Sequence, residues 1–263
     1  MVELLSIQHV HASLTADEIV QKIQEKALSL TRSENGSAYE YQKRTKLEKM
    51  DKSFEKALET KVTISRMTQR QGASHAQLLS VDGVPVADAK NKIGKQQKRK
   101  NDPPTVATGA MQKSPWLNHP LINRFNFQLT GEEAIAGRKF WVLKFAPKSG
   151  NLPTEEFADR LINRLGGIVV VDQLEFEVAR LEINLLEQFT ILGGLLGNLE
   201  TLSLIVARQR MEDGTWIDST STTRLSGRKL LSAMHFRVSE ESFDFKKTSS
   251  VSANNPNQLI PRT

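Results

Sequence analysis

From Gly166 onward, apolar and polar residues alternate in blocks, and short turns separate the blocks. GGIVVVDQLEFEVARLEINLL, ETLSLIVARQRM, GTWIDSTSTTRLSG, KLLSAMHFRVS and SFDFKK follow one another in this way, with Glu212-Asp213-Gly214 as one such turn. A period of two sends successive side chains to opposite faces, which is the mark of strands and not of helices. Turns this short join antiparallel neighbours. The same alternation runs through YEYQKRTKLEKMD, KVTISRMTQ and HAQLLSVDGVPV, which closes on an Asp82-Gly83 turn. FNFQLTGEEAIAGRKFWVLKFAPK reads as a hairpin with Phe125, Phe127 and Leu129 on one face and Trp141, Leu143 and Phe145 on the next strand's face. The expected fold is α+β: a strongly curved antiparallel sheet of about ten strands in meander order, because a sheet that wide curls.

Two or three helices are expected against the sheet. Thr15 and Glu18 form a capping box, and Ile19, Ile23, Ala27 and Leu30 then make one apolar stripe that Asn35-Gly36 ends. LPTEEFADRLINRLGG is a short helix with Thr154 as N-cap, burying Phe157, Leu161 and Leu165. SPWLNHPLINRF holds one more helical turn.

The most apolar stretch, FTILGGLLGNLETLSLIVA at 189–207, is long enough to suggest a membrane span. Gly193, Gly194 and Gly197 weaken a helix there, and Asn198 and Glu200 would be placed in hydrocarbon at a high cost. Its second half alternates instead, with Leu202, Leu204 and Val206 on one side. A strand preceded by a glycine-rich, mobile lip is the expectation, and Leu195 and Leu196 would sit at its rim. Exposed, this set would be a sticky patch, so it faces either the core or an apolar ligand.

A net charge of +6 over 263 residues looks like a hint of nucleic acid until the charge is located. Lys90, Lys92, Lys95, Lys98, Arg99 and Lys100 carry all of it in one tract, KNKIGKQQKRK, followed by Pro103-Pro104. The tract is read as a solvated loop, with contact to an anionic membrane surface or an envelope protein as the functional alternative. No aromatic residue is interleaved in it to stack bases, so nucleic acid is not expected as a partner. Cysteine is absent, which removes disulfides, thiolate zinc sites and cysteine nucleophiles. MVELLSIQHVHASLTADE has no basic n-region and no unbroken apolar core, so the chain is read as a mature or truncated form whose export signal is not visible. One domain over 13–247 is expected, with residues 1–12 as an N-terminal segment or signal remnant, a loop insertion at 86–122 and a disordered tail at 248–263.

No catalytic signature stands out. His9, His11, His75, His119 and His235 are scattered, and no HExxH, GxSxG, P-loop or GxGxxG occurs. Glu132-Glu133 is read as part of a hairpin turn. Glu175 and Glu177 are read on one strand face, with Leu174, Phe176 and Val178 on the other. Neither pair carries a glycosidase motif. Trp116, Trp141 and Trp216 read as core anchors, Trp216 as the plug of a sheet end. No catalytic residue, metal or cofactor is expected.

The layout as a whole resembles a known family. TADEIVQKIQEKAL runs into antiparallel strands and the VDGVPV turn, and later MEDGTWIDST and GRKLL…HFRVSEESFDF complete the pattern. This is similar to the LolA-like and LolB-like outer-membrane lipoprotein-sorting proteins, and the likeness spans most of residues 13–247. It implies a half-open barrel capped by helices, non-enzymatic binding of lipid or lipoprotein acyl chains, a periplasmic or cell-envelope location and a monomer. The strand arginine that holds the lid in that family has no matched position here, and Arg44 and Arg66 both stay open. The hydrophobic lining expected from strand parity is Phe127, Leu129, Trp141, Leu143, Phe145, Phe176, Leu202, Leu204 and Val206, with Leu195 and Leu196 at the rim. The alternative is a structural or protein-interaction module that uses the basic loop or the GGLLG lip, and a hydrolase ranks behind both.

Overall fold

The computed structural model describes residues 14–32, 38–70, 73–86, 119–191, 197–230 and 232–248. The basic tract at 90–100, Trp116, His9, His11, Asn35-Gly36, Leu195, Leu196 and the 249–263 tail lie outside the described residues.

Helix α1 (Ala16–Arg32) starts where its capping box predicts. The Glu18 carboxylate accepts hydrogen bonds from the Thr15 N–H at 2.7 Å and the Thr15 hydroxyl at 2.8 Å, and the Thr15 hydroxyl accepts from the Glu18 N–H. Those bonds hold the Glu18 carboxyl below its ordinary range. The buried stripe of α1 is Ile19, Val20 and Ile23.

The strands are β1 (Ala38–Met50), β2 (Ala57–Arg70), β3 (Ala73–Val81), β4 (Val84–Pro85), β5 (Phe125–Ile135), β6 (Arg138–Pro147), β7 (Leu165–Asp172), β8 (Val178–Leu185), β9 (Phe189–Ile191), β10 (Gly197–Arg210), β11 (Trp216–Lys229) and β12 (Ser232–Thr248). Two short helices, α2 (His119–Ile122) and α3 (Phe157–Ile162), precede β5 and β7. The strands form one antiparallel sheet of twelve, ordered β4-β3-β2-β1-β12-β11-β10-β8-β7-β6-β5, with β9 on β10. The order is not one meander. It is two, β1–β4 and β5–β12, joined because β1 takes β12 as its second neighbour. Short turns dictate the order within each half, and only the need to pair an open strand edge dictates the join. The edges are β4 and β5, and the sheet is not closed by a pairing between them. Register shifts at Glu40/Gln42, Leu129/Gly131, Val170/Val171 and Ala207/Arg208 bend the strands.

The tight turns follow their sequence. Asp82-Gly83 has φ of 48° and 80°, and Ala136-Gly137 the same pair of angles, the left-handed geometry of two-residue hairpin loops. Glu132 and Glu133 therefore lie within β5, opposite Trp141 and Phe140, and not in the turn.

α3 corrects two expectations. It begins after Glu156 rather than Thr154, because the Asp159 carboxylate accepts the Glu156 N–H at 3.4 Å and is itself anchored by Arg124 at 2.7 Å. Phe157 is also 46% exposed, not buried. Its ring meets the buried Phe189 edge-on at 5.0 Å. Leu165 is buried, but as the first residue of β7.

The apolar stretch at 189–207 resolves into β9 and β10 on either side of 192–196. Among the described residues no helix is long and apolar enough to cross a membrane.

The main core joins α1 to the β5–β8 half of the sheet: Ile19, Val20 and Ile23 pack with Phe125, Leu143, Phe145, Val171, Val178, Leu181 and Ile183. A second cluster, Phe140, Val170, Ala179 and Trp216, lies on the other face. Trp141 packs with the first and its neighbour Phe140 with the second, as strand alternation requires. A third cluster gathers Tyr39, Tyr41, Met67 and Ile217, with Tyr41 stacked on Phe245 at 5.2 Å.

Candidate functional site

The face toward α1 can be followed across the whole sheet by register. One line of directly opposed residues runs from β3 to β5: Val81, Thr63, Thr45, Glu240, Ser221, Val206, Leu181, Val169, Leu143 and Leu129. A parallel line, two residues along, reads Lys61, Leu47, Val238, Thr223, Leu204, Ile183, Gly167, Phe145 and Phe127. Both lines are apolar from β5 to β10. In the first line the change to polar side chains falls between Val206 and Ser221.

Eight of the expected lining residues fall on this face together. Phe127, Leu129, Trp141, Leu143, Phe145, Leu202 and Leu204 belong to the α1 core or pack against it, and Val206 sits opposite Leu181. The deepest of them are already covered: Leu143 is fully buried, and Val206 and Phe145 nearly so. Phe127, Leu129, Trp141, Leu202 and Leu204 are only partly buried, so the apolar wall continues beyond what α1 covers.

Phe176 does not belong to a strand. Residues 173–177 form the β7–β8 connection, where Phe176 takes φ 54°. The cause is Asp172, whose carboxylate accepts the backbone N–H groups of Leu174 (3.0 Å) and Glu175 (2.8 Å) and so bends the chain. The ring is turned back onto Trp141 at 5.4 Å, with Lys22 of α1 5.3 Å above it. Phe176 thus still meets the α1 side, by a route that strand parity does not describe.

Three of the carboxylates singled out by sequence, Glu133, Glu175 and Glu177, are committed to arginines. Glu175 accepts from Arg210 at 2.7 Å and from the Trp216 indole at 2.7 Å, and Arg138 lies 3.6 Å away. Glu177 pairs with Arg208 at 2.9 Å, and Glu133 with Arg180 at 3.3 Å. Burial pushes the Glu175 carboxyl up, but the bonds from Trp216 and Arg210 outweigh it and hold it below its usual range. Asp172, fully buried, is raised by burial and lowered more strongly by Arg138 at 2.7 Å and the two backbone N–H groups. Asp172 and Glu175 stay ionised and occupied, which suits a brace and not a general acid. Among the described residues no group of three or more His, Asp or Glu is placed to hold a metal.

Arg44 and Arg66 both lie on the face away from α1. Arg44 pairs with Glu241 at 2.9 Å and covers Phe243, while Arg66 pairs with Glu40 at 3.6 Å. Neither is aimed at the apolar wall.

Sequence reasoning missed the polar half of the face. Glu240 is 8% exposed; Ser221 donates to it at 3.0 Å and Thr45 at 3.3 Å, and the Lys43 amine is 3.6 Å away. No local signal marks this group, because Thr45 and Glu240 are 195 residues apart.

Compared with known proteins, the chain matches no family model, and no curated protein matches it. Solved structures do. The chain is similar to a putative outer membrane lipoprotein-sorting protein domain from Vibrio parahaemolyticus, at 13% identity over 89% of this chain and 96% of that one, with a TM-score of 0.39. It is likewise similar to a LolA superfamily protein from Nitrosomonas europaea, at 13% identity over 90% and 95% of the two chains and a TM-score of 0.34. MucB, in complex with MucA, gives 10% identity over 89% of this chain and all of that one, with a TM-score of 0.23. That likeness describes layout alone, and function has to be argued from the wall itself.

Proposed function

We propose that this protein is a non-enzymatic carrier or binding protein that shelters acyl chains, of lipids or lipoproteins, against the α1 face of its sheet. The observation that carries the reading is the apolar wall that outruns its helix. From β5 to β10 both register lines are apolar, yet Phe127, Leu129, Trp141, Leu202 and Leu204 keep part of their surface uncovered. Taking such a side chain from full exposure to full burial is worth about 1.5–3 kcal/mol, and these half-covered ones stand to gain the remaining fraction. An alkyl chain laid along the wall supplies that cover without any reaction to catalyse. The bent sheet acts as a half-open barrel. We place the protein in the periplasm or cell envelope, as a monomer.

The test is native mass spectrometry of protein purified from cells, together with uptake of a fluorescent fatty acid and its displacement by unlabelled lipid. Co-purified lipid and saturable uptake are expected. A bare protein that takes up no probe removes the carrier reading.

A further inference from the structure

The face of the sheet turned away from α1 carries an arrangement that folding alone does not favour. Thr223 and Val238 lie on the α1 face, so their chain neighbours Arg224 and Arg237 lie on the opposite one. There the register runs Ser203, Arg224, Arg237 and Glu48 in one line of directly opposed residues. Direct opposition sets the Cβ atoms of the two arginines about 5 Å apart, and like charges so placed destabilise a strand pair. The one carboxylate in the line does not cancel the cost, because it is shared. Glu48 is 3.7 Å from Arg237 and 2.6 Å from Lys46, so three cations stand against a single acid. The next acid along this face of β12, Glu241, is taken by Arg44 at 2.9 Å. Arg224 is exposed and has neither a hydrogen bond nor a counter-ion among the described residues. Arg237 is held in place, since its guanidinium donates to the Phe54 carbonyl at 2.6 Å, yet its side chain keeps 26% of its surface open.

We propose that Arg224 and Arg237 clamp a phosphate group on this face, with the Ser203 hydroxyl as a further donor. The site lies across the sheet from the apolar wall and goes beyond the carrier reading. Two guanidinium forks match the oxygens of a phosphate, each able to donate two parallel bonds. A phosphate dianion also balances the excess of two positive charges left by Lys46, Arg224 and Arg237 against Glu48. Chloride offers no oxygens to the forks, and a carboxylate brings only one charge. A soluble phosphate ester and a lipid head group present the same chemistry to the clamp.

The experiment is calorimetric titration of the full chain with inorganic phosphate, at an ionic strength held constant with sodium chloride. Saturable binding is expected, and Arg224→Gln should weaken it about tenfold, the effect of losing one charge-assisted hydrogen bond. In phosphate-free buffer that variant should resist urea at least as well as the wild type, because the opposed charges are gone. Added phosphate should raise the urea midpoint of the wild type and leave that of the variant in place. Vesicles of phosphatidic acid, set against phosphatidylcholine, separate the two sources. Co-sedimentation that Arg224→Gln removes assigns a lipid head group, while binding of phosphate and glycerol phosphate without co-sedimentation assigns a soluble ester. No phosphate binding over the chloride background, or equal affinity in wild type and Arg224→Gln, overturns the site. A chain that takes up the fluorescent fatty acid but no phosphate loses this site alone and keeps the carrier reading.

Discussion

At Gly167 a methyl group has nowhere to go, because a built Cβ would overlap the Glu182 carbonyl oxygen on β8. The position lies in the apolar register line between Phe145 and Ile183, where every neighbouring strand supplies a bulky side chain. Gly167→Ala is expected to cost about 1–3 kcal/mol through forced backbone movement, read as a lower urea midpoint with an unchanged m-value. Asp172 is the other residue that decides local geometry. It bends the β7–β8 connection with two backbone bonds and holds Arg138 at 2.7 Å. The Asp172 and Glu175 carboxyls lie below their usual range in the folded chain, so in acid the folded form binds fewer protons than the unfolded one. Their stabilisation is complete above the unfolded carboxyl range, about pH 4, and is lost as pH falls through the folded values. Arg138→Met leaves Asp172 buried beside no cation and should cost about 3 kcal/mol, with the acid-unfolding midpoint moved to higher pH in a circular-dichroism titration. An acid midpoint identical to the wild type's would contradict that account.

Among the elements, α1 is the one whose removal would change most. It has a capped start and one buried stripe, and Ile19 within that stripe has no exposed surface at all. Ile19→Ala should destabilise by about 2–5 kcal/mol and Thr15→Ala by about 1 kcal/mol, measured by chemical denaturation. The cap, the stripe and the 125–147 hairpin were all legible in the sequence, because each depends on residues a few positions apart. The α3 start and the β7–β8 connection were not, since each is set by a bond from a carboxylate, Asp159 or Asp172, whose partner the local pattern does not name. The same limit explains Phe176: alternation assigned it a strand face, while Asp172 lifted it off the strand.

Over the whole molecule the two faces of the sheet have separate duties. Trp141 packs on the α1 side and Trp216 on the other, where its indole donates to Glu175 at 2.7 Å. Tryptophan emission therefore gives a directional readout: an acyl-chain ligand should shift the Trp141 signal, so Trp141→Phe should abolish most of the change and Trp216→Phe preserve it. A change that vanishes only with Trp216→Phe would put the ligand on the wrong side of the sheet.

Local sequence determined that this chain makes antiparallel strands and which side chains share a face within each hairpin, through alternation and short turns, and where its long helix begins, through the Thr15/Glu18 capping box. Only the tertiary structure decided that β1 lies against β12, because two strands far apart in sequence find each other through edge hydrogen bonds that no local pattern encodes. That single pairing sets Thr45 against Glu240 and continues the apolar wall into a polar one, so the character of the candidate site is a property of register and not of composition.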